Sequence, residues 1–195
     1  MALKIVSVGD PVLRQRARAL SAEEIVSPEM QRLIEQMRET MHAAPGVGLA
    51  APQIGQSLQL AVIEDRADYH RALTPAQMAE RERQPVAFHV IINPELHLLP
   101  GTEPEFFEGC LSLPGLTAVV PRARTVRVEC LDHRGKPQVI TASGWYARIL
   151  QHEIDHLCGT VYVDRMRSRS LSTMENYQQH WQGKPVASII HEFER

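Results

Sequence analysis

The segment QHEIDH at residues 151–156 limits what this chain can fold into more than any other part of its sequence. Residues four positions apart on a helix share one face, so His152 and His156 can bind the same metal ion, with Glu153 beside it. A divalent ion lowers the pKa of its bound water to about 7, and a neighbouring carboxylate can take the released proton. The pattern therefore predicts a helix that carries a catalytic metal. The alternative is two surface histidines beside a solvated glutamate, because so short a pattern also occurs by chance.

A catalytic metal needs a third protein ligand, and the nature of that ligand separates the enzyme classes. In one zinc-peptidase pattern the third ligand is a histidine that follows a glycine. Gly159 matches that glycine, but Tyr162 stands where the histidine should be, and Asp164 and Glu175 are weaker substitutes downstream. Cys110, within the run EGCLS, is the best third ligand, because a thiolate is a soft donor for iron or zinc. A nucleophilic cysteine paired with one histidine would leave the second histidine and the glutamate unexplained.

The run GVGLAAPQ at residues 46–53 directly follows the first predicted helix. It lacks the third glycine of a dinucleotide fingerprint and the Lys-Ser/Thr pair of a phosphate loop, so neither kind of nucleotide site is predicted. Its small residues allow the backbone to approach a ligand closely. Gln53 offers an amide donor that can stabilise an oxyanion. The alternative is a tight turn with Gln53 in solvent.

Charge and composition exclude several function classes. Lys and Arg total 21 against 23 Asp and Glu, a net charge of −2, which gives no electrostatic case for binding nucleic acid or an anionic membrane. No apolar run is long enough to cross a membrane, and the N-terminus has no secretory signal pattern. Three cysteines argue against a disulfide framework and indicate a reducing compartment, with Cys130 and Cys158 read as small buried side chains.

The chain length of 195 residues fits a single domain. Strands without strict alternation with helices predict an α+β fold, with antiparallel strands packed around the metal-binding helix. Charges in the polar stretch 65–84 are expected to face solvent. The predicted elements are a helix from Pro28 to Pro45-Gly46 capped by Ser27, a short helix at Thr74-Pro75, a helix from Gly144 to Cys158 capped by Ser143, and strands at 58–63, 86–92, 125–131, 138–142 and 160–163.

Three segments, at 46–53, 108–112 and 151–156, resemble in this order the three signature motifs of the peptide deformylase family. The runs GDPVLR and VPRAR are also similar to the family, so the likeness covers about residues 5–167 and leaves 168–195 as a tail. The segment 142–166 and the long polar insert after Ile63 resemble the subgroup of eukaryotic organelles. Because GDPVLR lies so near residue 1, no transit peptide is expected before it.

The resemblance implies a role for each matching residue. Cys110, His152 and His156 would bind the metal, and Glu153 would act as general base and then as general acid. Gln53 and the backbone N–H of Leu111 would donate to the oxyanion. Only the aliphatic stem of Arg148 would suit an apolar wall. The substrate peptide would lie beside Gly46, Val47, Gly48 and Gly109, and its methionine pocket would be bordered by Phe106, Trp145, Arg148 and Ile149.

The resemblance also implies the reaction, which is hydrolysis of the N-formyl group from formylmethionine of nascent peptides near the ribosome, releasing formate. One divalent ion per chain is implied, Fe(II) first and zinc, nickel or cobalt in some preparations. The expected protein is a monomer or weak dimer in the bacterial cytoplasm or, alternatively, in an organelle matrix after removal of a transit peptide. Competing hypotheses are a zinc-dependent peptidase and a non-catalytic binder of formylated peptides.

Overall fold

A computed structural model of the chain describes residues 2–71 and 73–193. Within them the strands form two antiparallel sheets, of five strands in the order β1-β2-β3-β6-β7 and of three in the order β4-β5-β8. The strands are β1 (Gly48–Ala50), β2 (Leu60–Asp65), β3 (Val86–Leu98), β4 (Glu105–Cys110), β5 (Leu113–Pro121), β6 (Thr125–Leu131), β7 (Pro137–Ser143) and β8 (Ser172–Thr173). The fold is therefore a mixture of helices and antiparallel sheets, as predicted.

Helices pack against these sheets. Ser27 caps α2, since its Oγ accepts a bond from the N–H of Met30 at 3.2 Å, and Pro28 is the first helical residue, as predicted. Ser143 stands at the N-cap of α4, but its side chain makes no capping bond there. The helices are α1 (Ala22–Val26), α2 (Pro28–Ala43), α3 (Pro75–Glu80), α4 (Gly144–Leu157), α5 (Met174–Asn176) and α6 (Val186–Phe193). No helix in the described part of the chain is long and apolar enough to span a bilayer.

Helix α4 lies in the interior, and ten of its fourteen residues are buried. Its apolar side chains share one core cluster with residues of the five-stranded sheet. A helix that is buried on nearly all sides carries its polar residues into the interior as well. The cluster includes Ile63, Ile91, Val126, Val128, Ala147, Leu150, Ile154 and Leu157.

The strand predicted at 58–63 is shifted to Leu60–Asp65, and two further predicted strands differ for local reasons. Strand β3 continues past Ile92 through Pro94. This is possible because a bulge between Ile92 and Glu95 accommodates the proline, and Asn93 within that bulge has a φ of +49°. The strand predicted at 160–163 is instead a 3-10 turn, Tyr162–Asp164.

The polar insert after β2 is not simply a solvated face. Asp65 is 1% exposed and accepts bonds from Arg83 at 2.8 and 2.9 Å, so the prediction that its charge faces solvent is wrong. The N–H of Trp145 donates to the carbonyl of Arg81 at 2.9 Å, which attaches the end of the insert to the start of α4. Of the two cysteines read as buried, Cys130 is buried, whereas Cys158 is exposed.

Candidate active site

The three residues proposed as metal ligands converge on one point. Cys110 ends β4, His152 and His156 lie one turn apart on α4, and their donor atoms all lie within 4.8 Å of one another. Cys110 Sγ is 3.3 Å from His156 Nε2. A tetrahedral ion with ordinary metal–sulfur and metal–nitrogen bonds would hold such a pair about 3.5 Å apart. The donor set therefore fits a divalent ion with one open coordination position.

Glu108 fixes the orientation of His152. Its Oε2 lies 3.0 Å from His152 Nδ1, so Nε2 is the ring nitrogen left to bind a cation. Arg122 donates two bonds of 3.0 Å to Glu108, and Arg148 donates a third at 2.6 Å. Burial alone would raise the pKa of Glu108, but the bond from His152 and the charge of Arg122 outweigh it and lower the pKa well below its usual range.

Glu153 lies beside the ligands in a fully buried position. Burial raises its pKa to about 7, and its Oε2 has no hydrogen-bond partner among the described residues. A buried carboxylate oxygen without a partner is rare in structural positions and frequent in functional sites. Gly48 makes room for this side chain, because a Cβ on Gly48 would lie 2.2 Å from Glu153 Oε1.

Gln53 is held with its amide nitrogen toward the cysteine. Its side chain is buried, so the alternative of a solvated glutamine is wrong. The amide oxygen accepts a bond from the N–H of Ala50 at 2.9 Å, and Nε2 lies 3.4 Å from both Cys110 Sγ and Ser112 Oγ. The fixed oxygen leaves the amide nitrogen directed toward Cys110 and Ser112, where it can donate to an oxyanion beside the cluster.

The turn of the β4–β5 hairpin brings Leu111 against the glycine run. Cys110 pairs with Leu113, so Leu111 lies in the tight turn between them. A Cβ on Gly46 would lie 3.0 Å from Leu111 Cδ1. The glycine run and the hairpin turn thus face each other closely enough to border one cleft.

A cleft of about 580 Å³ opens beside the cluster and is lined by nearly all the predicted site residues. Phe107 lines it, whereas Phe106 does not. Phe106 is 7% exposed, and its ring packs against Trp145 with centroids 6.0 Å apart, so its predicted place in the pocket wall is wrong. The predicted residues that line the cleft are Gly46, Val47, Gly48, Gln53, Gly109, Cys110, Leu111, Trp145, Arg148, Ile149, His152 and Glu153.

Arg148 borders the cleft in a different way from the one predicted. Its guanidinium is buried, not extended toward water, and it donates to Glu108 at 2.6 Å, to the carbonyl of Val120 at 2.9 Å and to the carbonyl of Pro104 at 2.6 Å. Arg148 therefore belongs to the charged support of His152 as well as to the cleft wall. Sequence reasoning did not find Glu108 and Arg122, although both lie inside the runs EGCLS and VPRAR that it singled out.

Comparison with known sequences gives a consistent result. The model of the family described as polypeptide deformylase matches residues 2–172. The chain is 48% identical over 172 residues to peptide deformylase 1A, chloroplastic, of Solanum lycopersicum, a match that covers 88% of this chain and 62% of that protein. It is 46% identical over 181 residues to peptide deformylase 3 of Streptomyces avermitilis, covering 92% of this chain and 78% of that protein.

Solved structures resemble most of the chain. A class I type b peptide deformylase of Acinetobacter baumannii bound to Met-Ala-Ser matches with a TM-score of 0.76 and 31% identity, covering 85% of this chain and 99% of that one. A peptide deformylase of Synechococcus elongatus in complex with actinonin matches with a TM-score of 0.71 and 39% identity, covering 85% and 79%. With the family match over residues 2–172, these likenesses show that the chain belongs to the polypeptide deformylase family.

Proposed function

We propose that this chain hydrolyses the N-formyl group from the N-terminal formylmethionine of nascent peptides, releasing formate. The observation that carries the proposal is the convergence of Cys110, His152 and His156 beside the buried Glu153 at the edge of the 580 Å³ cleft. A hydrolase needs a buried carboxylate next to the metal ligands as its general base, whereas a protein that only binds peptides does not.

The residues of the chain divide the chemistry among them. A divalent ion held by Cys110, His152 and His156 would polarise the formyl oxygen and supply hydroxide from water at neutral pH. Glu153 takes the proton of the attacking water and then gives it to the leaving amine. Gln53 Nε2 and the N–H of Leu111 donate to the oxygen that becomes anionic, and loss of one such donor raises a barrier by ~2.7–4 kcal/mol.

The peptide would lie extended in the cleft, beside Gly46–Gly48 on one side and Gly109 on the other. Its methionine side chain would enter the part bordered by Phe107, Trp145 and Ile149. The Acinetobacter baumannii relative was solved with Met-Ala-Ser, a peptide that begins with methionine, which supports this class of ligand.

We propose Fe(II) as the ion, with zinc, nickel or cobalt as substitutes in some preparations. The mixed set of one thiolate and two imidazoles suits any of these ions. The relatives include bacterial, chloroplastic and mitochondrial proteins, and we propose the bacterial cytoplasm, or an organelle matrix, as the location. The chain would act as one catalytic domain, monomeric or weakly dimeric, on peptides near the ribosome and without binding nucleic acid.

The experiment that tests the function is release of formate from formyl-Met-Ala-Ser by protein prepared without oxygen and loaded with Fe(II) or Ni(II). We expect formate with both ions, and faster decay in air for the iron form, because Fe(II) and its thiolate ligand oxidise. Equal air stability of the two forms would contradict the expected oxidation of the iron site. Absence of formate from protein with one ion per chain would favour a peptidase or a non-catalytic binder, which a panel of unformylated peptides separates.

The peptidase hypothesis has little support at Tyr162. That residue stands at the position where a peptidase would carry its third ligand, and it is 1% exposed. Burial raises the pKa of its hydroxyl to about 12, and Cys110 already supplies a third donor beside His152 and His156.

Replacing Cys110 by alanine should abolish stable metal binding, because two imidazoles alone hold a divalent ion weakly. We expect less than one tenth of an ion per chain after dialysis, measured by elemental analysis, against one per chain for the unchanged protein. Cys158→Ala is the matched control, since this cysteine is exposed and lies outside the cluster. Stoichiometric metal in the Cys110→Ala variant would remove Cys110 from the ligand set.

A further inference from the structure

The tail of the chain carries an apolar side chain that is exposed without an evident structural reason. Six large apolar side chains of the described residues are exposed, and Met174, 38% exposed, is the one among them that lines the catalytic cleft. Single exposed apolar residues need no explanation, but one that borders a substrate cleft is a candidate for contact with substrate. Met174 also lies beyond residue 172, where the family match ends.

Main-chain pairing before Met174 fixes its position. The N–H of Arg167 donates to the carbonyl of Val119 at 2.8 Å, and the N–H of Val119 donates to Ser170 Oγ at 2.8 Å. Strand β8 then pairs with β5, with Thr173 opposite Leu116 and Ser172 opposite Thr117. The residue after Thr173 is therefore held at the edge of the three-stranded sheet.

The chain after Met174 is anchored as well. Thr173 Oγ1 accepts a bond from the N–H of Asn176 at 3.2 Å, which caps the short helix α5. The ring of Tyr177 lies 4.7 Å from that of Phe107, and Phe107 is itself a cleft residue. Contacts on both sides of Met174 thus hold it as part of the cleft wall.

The neighbours of Met174 relate it to the path of the peptide. A Cβ added to Gly109 would lie 3.6 Å from the carbonyl oxygen of Leu116. Leu116 pairs with Thr173, and Met174 is the next residue. A peptide that lies beside Gly109 would therefore pass Leu116 and Met174 once its methionine has filled the inner part of the cleft near Trp145 and Ile149.

We propose that Met174 contacts the side chain that follows the formylmethionine and makes the enzyme prefer an apolar residue there. The proposal rests on the proposed deformylase function, and it gives the tail after residue 167 a role in substrate choice. Leu116 and Met174 together would form an apolar surface for that side chain, which an ionised side chain could enter only with loss of hydration.

The test compares kcat/KM for formyl-Met-Xaa-Ser peptides in which Xaa is Leu, Ala, Glu or Lys. For the unchanged protein we expect Leu to be favoured over both charged residues. Met174→Glu should raise the Lys-to-Glu preference roughly five-fold and Met174→Lys should lower it by a similar factor, mainly through KM, because a charge pair at a solvated rim contributes modestly. Leu171→Glu is the control, since Leu171 is 46% exposed in the same tail but does not line the cleft.

The outcomes distinguish failure of the proposed role of Met174 from failure of the proposed deformylase function. If the unchanged protein releases formate and both Met174 variants keep its Lys-to-Glu ratio, the role of Met174 is overturned and the deformylase function stands. If Leu171→Glu shifts the ratio as much as Met174→Glu does, the effect is long-range and contact with Met174 is also overturned. If the metal-loaded protein releases no formate from any of the peptides, the proposed function fails together with the inference that rests on it.

Discussion

Replacing Glu153 by alanine is expected to lower kcat for formate release by roughly 10²–10⁴-fold, the usual contribution of a positioned general acid and base. The substitution removes the carboxylate that takes the proton of water and returns it to the amine. The three ligand side chains are separate from it, so metal content should stay at one ion per chain. Formate release in a coupled assay and elemental analysis of the same sample measure the two quantities together.

A second variant separates proton transfer from packing. Glu153→Gln keeps the shape of the buried side chain but cannot act as a base. We expect it to be as slow as the alanine variant while unfolding at a temperature close to that of the unchanged protein. Full activity in either variant would refute the role of Glu153, and loss of metal from both would mean that the carboxylate supports the ligands instead.

Replacing Gly48 by alanine should lower kcat by roughly 10²-fold, the size of effect that a displacement of about 1 Å in a catalytic group can produce. The added Cβ would lie 2.2 Å from Glu153 Oε1 and 2.5 Å from its Cδ, so the carboxylate has to move. The backbone of β1 cannot yield easily, because Gly48 pairs with Ile63 in the five-stranded sheet. The measurement is kcat at saturating formyl-Met-Ala-Ser, with metal content as a check.

The double variant Gly48→Ala/Glu153→Ala tests this explanation. Once the carboxylate is gone, the methyl group added in place of the Gly48 hydrogen has space, so the double variant should match Glu153→Ala in activity and in melting temperature. Residues in direct contact give such non-additive results, whereas independent sites add. If the double variant instead loses further activity or stability by the full effect of Gly48→Ala, the collision with Glu153 is not its cause.

The helices and the two histidines could be predicted because their signals are local. Ser27 and Pro28 mark the start of α2 within two adjacent residues, and the spacing of His152 and His156 alone puts them on one face of α4. Such features depend on residues that are close in sequence, so a single sequence is enough to predict them.

The face of β4 could not be predicted in the same way. The family resemblance implied a place for Phe106 in the pocket wall, but a register shift between Glu108 and Cys110 interrupts the regular alternation of β4. Phe107, not Phe106, therefore lines the cleft. A bulge of this kind depends on pairing with β5 and leaves no clear mark on the sequence.

Contacts between distant parts of the chain were also out of reach. The hydrogen-bond partners of Asp65, of Glu108 and of Arg148 lie 14 to 44 positions away, and each of these three is a charged residue that alone predicts a solvated surface. The place of Met174 in the cleft wall depends on pairing between β8 and β5, and the two residues of β8 are too short a run to show a periodic pattern.

The buried ion pairs restrict how the β4–β5 hairpin can be seated on α4. Glu108 comes from β4, Arg122 directly follows β5, and α4 supplies Arg148 and Asp155. A slip of one residue in β4 would turn Glu108 to the opposite face, which would leave Arg148 buried without a counter-charge and Arg122 with Asp155 alone. A buried guanidinium that loses its carboxylate costs about 3–5 kcal/mol, whereas an apolar contact would tolerate several registers. The spacing between Cys110 and the two histidines is therefore fixed by ion pairs within the protein. These pairs disfavour a misaligned hairpin before any ion is bound.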